Sequence, residues 1–274
     1  MKKGNSVTIR PTNSYELIMA RRGGFLRDVI SMAGRALRLI PRDPEAVLPP
    51  VIIAGFFYAM NIGALQDFAE RIPGLDYKSF QLPVAIIFAV TGVSRAITLV
   101  TDIQTGYFDK LIITPVKRLA LLLGLMVADV VLVICLTIPV LIIAFIWGVR
   151  FETGPIGIVV FISMAAFWGL VFTGFPYAIA FKTGNSAAVN QSFLLFFPFV
   201  FLTSVFVPRE FMTGWLQTIA TYNPVTYVLE ALRSLISSGW DPLVLLKGLL
   251  AITAVGMVSL PLALAALVGR ARRR

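Results

Sequence analysis

Arg95 and Asp129 are the two charged residues that stand well inside apolar runs of this sequence, and they are the first candidates for chemistry. Asp129 lies about 16 Å into its run at the rise of an α-helix. A lone carboxylate at that depth of a bilayer costs about 2.5–3.5 kcal/mol on insertion scales, so it must be paired, protonated or turned toward a wet cavity. The similar depth of Arg95 predicts an Arg95–Asp129 ion pair joining two spans, with a proton relay as the rival use of the same groups. Other catalytic chemistry is scarce. There is no histidine and one cysteine, Cys135, inside an apolar stretch. That set builds neither a zinc site nor a Ser-His-Asp triad, and it forms no disulfide within the chain. No G-x-x-x-x-G-K-[ST] phosphate loop occurs, so the chain is not a P-loop ATPase by itself.

A second kind of chemistry is recognition. Residues 101–118 interrupt two apolar blocks and mix Asp102, Asp109, Lys110, Lys117 and Arg118 with Tyr107, Phe108, Leu111, Ile112 and Ile113. A solvated connector has no need of those apolar groups. A short helix seated in another protein's groove uses them, and so does an interfacial loop resting its aromatics on lipid headgroups.

The elements that must carry these residues follow from composition. Hydrophobic residues make up 58% and charged residues 14%, against about 45–50% and about 25% in soluble domains. The mean hydropathy is +0.85. The expectation is an all-α integral membrane protein with six transmembrane helices, at about 46–65, 82–101, 118–147, 155–181, 189–207 and 242–269, each near the roughly 20 residues that a span needs. Pro49 and Pro50 fall in the first turn of the first span, where proline is tolerated. Seventeen Lys and Arg residues lie in the termini and the even-numbered connectors, against five in the others. This asymmetry places both the N- and C-termini in the cytoplasm, and it accounts for the net charge of +10 without nucleic acid.

Residues 1–23 read as a polar cytoplasmic tail rather than a signal peptide. Residues 24–41 read as an amphipathic helix, with Leu26, Val29, Ile30, Ala33, Leu37 and Ile40 on one face and Arg27, Arg35, Arg38 and Arg42 on another. Pro41 and Pro44 end it. Such a basic helix beside a span belongs in the interface plane, on membrane lipid. Between spans five and six, Phe211, Trp215, Leu216 and Ile219 form a short amphipathic face. Asn223-Pro224 starts a second helix with Asn as cap and Pro at its first position, and the i, i+3 spacing of Glu230 and Arg233 predicts a local ion pair. Two short half-embedded helices are expected there. Phe172, Phe175, Phe193 and Phe197 are candidate lining for the path of a bulky amphipathic molecule.

The segment from Asp102 to Pro115, with Gly106, Tyr107, Phe108 and Asp109 inside it and Gly124 and Ala128-Asp129 beyond, resembles the core motif of ABC-2 type transporter permeases, in the branch typified by daunorubicin-resistance permeases. Phe206-Val-Pro208, Trp215-Leu216 and Asn223-Pro224 through Glu230 to Arg233 resemble that branch's second signature. The chain departs from the pattern at Leu125, where a basic residue is expected, and at Thr213, where proline is expected.

The resemblance implies a domain plan of a tail at 1–23, a connecting helix at 24–45, a six-helix domain at 46–269 and a basic end at 270–274. It implies that 102–115 is a coupling helix seated on a P-loop ABC ATPase, with Tyr107, Phe108, Leu111 and Ile112 as its apolar plug and Asp102, Asp109 and Lys110 as the rim. It also implies two such ATPase subunits that bind MgATP, a second permease chain in a homodimer, no cofactor in this chain, a bacterial cytoplasmic membrane and outward transport of a drug-like substrate. A polysaccharide or glycolipid exporter, an ion-coupled secondary transporter and a membrane scaffold are the alternatives. Few aligned polar groups, no internal repeat and the apolar plug weigh against these three in turn.

Overall fold

The computed structural model describes residues 24–39, 48–72, 74–91, 93–112, 118–194 and 196–272. The tail at 1–23, the stop signals Pro41 and Pro44, and Pro115 lie outside the described residues. The described residues form helices joined by turns and short irregular segments, with no strand among them. In order come α1 (Phe25–Leu39), α2 (Leu48–Ala69), α3 (Tyr77–Thr91), α4 (Ala96–Gln104), α5 (Tyr107–Ile112), α6 (Arg118–Ile146), α7 (Gly154–Phe172), α8 (Gly174–Thr183), α9 (Ser186–Leu194), α10 (Phe196–Phe201), α11 (Gly214–Tyr222), α12 (Pro224–Arg233) and α13 (Pro242–Arg272).

Local chemistry sets several of these starts. Asp76 caps α3 by accepting from the Lys78 N–H at 3.2 Å and the Ser79 hydroxyl at 2.5 Å. Asp241 caps α13 through the Leu243 and Val244 N–H groups at 3.0 and 3.1 Å. Asn223 caps α12 through the Val225 N–H at 3.0 Å. In the last two, proline follows the cap at the first helical position, where its missing N–H costs nothing.

Among the described residues, five helices are long and apolar enough to cross a membrane: Leu48–Ala69, Tyr77–Gln104, Leu119–Ile146, Gly154–Thr183 and Pro242–Arg272. They match five of the six expected blocks. The block expected at 189–207 differs. It forms α9 and α10, reaching from 186 to 201, and continues without helix through 202–208. Sixteen residues rise about 24 Å, short of the roughly 30 Å hydrocarbon core.

The apolar interior is divided across its height. One core gathers residues 82–90 of α3, 133–144 of α6, 161–171 of α7, 228–232 of α12 and the start of α13. A second gathers 96–108, 121–128 of α6, 177–189 and the end of α13. Buried polar side chains mark the boundary: Thr91, Arg95, Asp129, Thr173 and Ser259. Two of the long helices break at this level. α3 gives way to α4 through residues 93–95, and α7 gives way to α8 at Thr173, where Pro176 in the first turn of α8 withholds a backbone donor. Each break is pinned. Trp168 Nε1 donates to Thr91 Oγ1 at 2.9 Å, and the Ser259 hydroxyl donates to the Val171 carbonyl.

Candidate functional site

The polar interruption at 101–118 is an elbow. α4 ends at Gln104, the chain turns at Thr105-Gly106, and α5 runs back over Tyr107–Ile112. Gly106 makes the turn with φ +73, a left-handed conformation that side chains disfavour. α1 packs along α6 and reaches the elbow. Arg35 Nη2 donates to both Asp102 oxygens at 3.1 and 3.2 Å, and its guanidinium lies 4.0 Å above the Tyr107 ring. Gln104 Nε2 donates to the Gly184 carbonyl at 3.0 Å. The expected rim residue Asp102 therefore braces the elbow against its own connecting helix. The amphipathic helix does not stand apart: its Ala33 is buried while Ile30 is exposed.

The apolar plug is smaller than expected. Phe108 is fully buried within the chain, with its ring 5.6 Å from that of Phe181. It is a core residue, because α5 folds back and lays this side chain between α4 and α8. Leu111 and Asp109 are half-buried, Tyr107 and Lys110 are exposed, and the side chain of Ile112 lies outside the described residues. Among the described residues, the exposed side chains of the elbow are Thr101, Gln104, Thr105, Tyr107 and Lys110.

Arg95 and Asp129 do meet, but not as an ion pair. Asp129 Oδ1 accepts from the backbone N–H of Arg95 at 3.0 Å, and Oδ2 accepts from the Tyr177 hydroxyl at 2.7 Å. Asp129 is completely buried. The correction has a geometric cause. The break before α4 leaves N–H groups without helical acceptors; Ser94 Oγ takes that of Ala96 at 3.1 Å, and Asp129 takes that of Arg95. One carboxylate thus ties α4 to α6 and α8 at the boundary between the two cores. No sequence signal announced Tyr177 as its partner.

Glu230 and Arg233 also part company. Glu230 pairs with Arg209 at 3.2 Å. Arg233 turns the other way, toward the Phe80 carbonyl and Ser204. Burial pulls the Arg233 guanidinium down to about 9 while Glu230 and Tyr77 act to raise it, so it remains cationic at neutral pH. Burial pushes the Glu230 carboxyl above its ordinary value, with Arg209 and Arg233 opposing. A carboxyl raised in the fold contributes stability below its unfolded value, and this is lost as pH rises through its folded value. Arg209→Gln should push Glu230 further up, read as a shifted carboxyl-stretch titration in the infrared; an unshifted titration would contradict the pairing.

The four candidate path phenylalanines sit among different neighbours. The rings of Phe172 and Phe175 lie 5.6 Å apart, that of Phe197 is 5.9 Å from Phe88, and Phe193 packs against the second core. The two departures from the expected motifs are explained by their surroundings. Leu125 is buried in the second core, which an apolar side chain suits. Thr213 holds φ −131 before α11, outside proline's range.

The family model described as ABC-2 type transporter matches residues 27–237, which contain the elbow, the Asp129 junction and the α11–α12 hairpin.

The chain belongs to the ABC-2 type transporter family.

Its relatives include the daunorubicin resistance ABC transporter permease protein DrrB1 of Streptomyces coeruleorubidus, 27% identical over 78% of this chain and 75% of that protein. The probable doxorubicin resistance ABC transporter permease protein DrrC of Mycobacterium tuberculosis is 26% identical over 78% of this chain and 79% of its own length. The putative transport permease ycf38 of Cyanophora paradoxa is 25% identical over 79% and 77%. In this ABC-2 transporter, the elbow and the carboxylate junction both belong to the second core.

Proposed function

We propose that this chain is the membrane permease subunit of an ATP-binding-cassette exporter, moving an amphipathic drug, antibiotic or lipid-like substrate outward across a bacterial cytoplasmic membrane. The observation that carries this reading is the braced elbow: a short helix with an exposed polar and aromatic tip, locked to α1 by Arg35 and Asp102 and to α8 by Gln104. A rigid tip of this kind transmits a push from a soluble partner. Two P-loop ATPase subunits would bind MgATP and supply the push, with a second copy of the permease completing the dimer. Coupling through this elbow would move α4, α5 and α8 as one block against the outer core. The names of the drug-resistance relatives support the substrate class. The charge asymmetry supports placing the elbow and both termini in the cytoplasm, with 186–207 as the sixth crossing.

Co-purification with a candidate ATPase tests the docking. Thr105→Lys combined with Lys110→Glu alters only exposed side chains of the tip and leaves the Arg35 brace in place, so the protein should stay folded while retained ATPase falls about tenfold, the loss of about 1.4 kcal/mol of binding. Phe108→Asp is the wrong probe, because it places a charge in the core. If the double variant holds the ATPase as the unaltered chain does, the elbow is not its docking site.

A further inference from the structure

At the end of the bundle opposite the elbow, the chain leaves α10 and runs without helix through residues 202–208. Thr203, Ser204 and Val205 are buried there, so their carbonyl groups must find donors inside the protein. The Val205 N–H takes the Thr203 carbonyl, and four side chains from two other elements bond the rest of the segment and the end of α10. Asn223 Nδ2 donates to the Phe199 and Leu202 carbonyls at 2.6 and 3.2 Å. Gln81 Nε2 donates to Val205 at 3.0 Å, and the Tyr77 hydroxyl donates to Phe206 at 3.3 Å. Arg233 takes Ser204 twice, at 2.8 Å to the hydroxyl and 2.6 Å to the carbonyl. Its Nε donates to the Phe80 carbonyl at 3.1 Å, and its guanidinium stacks 3.5 Å above the Phe80 ring.

The rest of the limb formed by α9 and α10 is held differently. Among the described residues, every side-chain hydrogen bond from another element to 186–207 falls at this outer end, between Phe199 and Phe206. Along its length the limb meets its neighbours through ring contacts, Phe172–Phe196 at 4.8 Å and Phe88–Phe201 at 5.8 Å. Such contacts hold without fixed hydrogen-bond geometry, so they tolerate sliding. The directional bonds at the outer end do not. Gln81 Oε1, buried beside them, has no hydrogen-bond partner, so the cluster is one bond short of complete.

We propose that Tyr77, Gln81, Asn223 and Arg233 form an outer latch that holds the α9–α10 limb closed against α3 and α12, with Arg233 as its principal positioning residue. Release of residues 202–207 frees the limb to swing on its aromatic contacts and opens the outward side of the path. The role of the opening rests on the exporter reading; the latch itself is tested without it.

The test is labelling by a membrane-impermeant maleimide in the full chain, in membranes, on a Cys135→Ser background. Val200→Cys reports on the buried side of α10, and Phe161→Cys reports on the core of α7; both native side chains are fully buried. Arg233→Met should speed labelling at Val200→Cys about tenfold while Phe161→Cys stays protected, the signature of local rather than global opening. Arg233→Lys keeps the charge but loses the planar fork. It should give a smaller rise at the same site, and it serves alone if Arg233→Met does not fold. Unchanged labelling at Val200→Cys overturns the latch, and so does a parallel rise at both cysteines, which assigns Arg233 to general stability. Neither result bears on the exporter reading, because no ATPase or substrate enters the measurement.

Discussion

Asp129→Leu is expected to unfold the part of the bundle that holds the elbow. The substitution leaves the Arg95 N–H and the Tyr177 hydroxyl buried without their acceptor, at about 1–3 kcal/mol for each orphaned group. It also removes the tie that joins α4 to α6 and α8. SDS titration of the purified protein in mixed micelles should show a much lower unfolding midpoint. Asp129→Asn should stay close to the unaltered chain. Its amide oxygen still accepts from Arg95, and its NH₂ can donate to the tyrosine oxygen, which accepts as well as donates. Exchanging the charges, with Arg95→Asp and Asp129→Arg together, should rescue nothing, because the partner of Asp129 is a backbone group that no substitution moves. A leucine variant with an unaltered midpoint, or a rescued double exchange, would refute this account of the junction.

Gly174→Ala is the second change expected to be severe. A Cβ there would stand 2.7 Å from the carbonyl carbon and 2.8 Å from the oxygen of Ser259 in α13. The obstacle is backbone, which cannot rotate aside, so α8 and α13 must separate where Ser259 bonds to Val171. Overpacking of this kind costs about 1–3 kcal/mol, and a backbone obstacle puts this case at the top of that range. The melting temperature in detergent should fall by several degrees. Gly63→Ala is the control: it lies on the exposed side of α2 with nothing within 4 Å of a new Cβ, so it should be neutral or slightly stabilising. Equal melting temperatures for the two variants would mean that α8 and α13 are not in close contact at Gly174.

These two positions also mark how far the sequence could be read. Asp129 drew notice because a carboxylate in an apolar run is costly wherever it packs, and its nearness to Arg95 was correct as a matter of depth. Its partners were hidden, because Tyr177 is 48 residues away and the Arg95 donor exists only where the helix breaks. Gly174 gave no signal at all; its constraint is the approach of a helix 85 residues further along the chain. The inward turn of Phe108 was hidden for a related reason. An aromatic in a short amphipathic helix can point outward to a partner or inward to its own core, and only the direction of the turn at Gly106 chooses. Glu230 and Arg233 have the spacing of a helical pair, but that spacing could not show that Arg209 and the Ser204 segment offer each of them a better partner.

What the sequence determined by itself is what repeats along it or acts over a few residues. Apolar runs define the membrane helices, Asn223-Pro224 and Asp241-Pro242 start their helices, Gly106 turns the elbow, and the motifs around Asp102 and Asn223 indicate the family. The tertiary structure decided what depends on where helices break and which faces then meet. It divided the interior into two cores at a polar boundary, turned Phe108 inward, gave Asp129 a hydroxyl and a backbone N–H in place of a guanidinium, and set Arg233 over the end of α10. The reason is common to all four. A buried polar or aromatic group takes whichever partner completes its bonds and contacts in three dimensions, and those partners lie many residues away in a chain whose local pattern does not encode them.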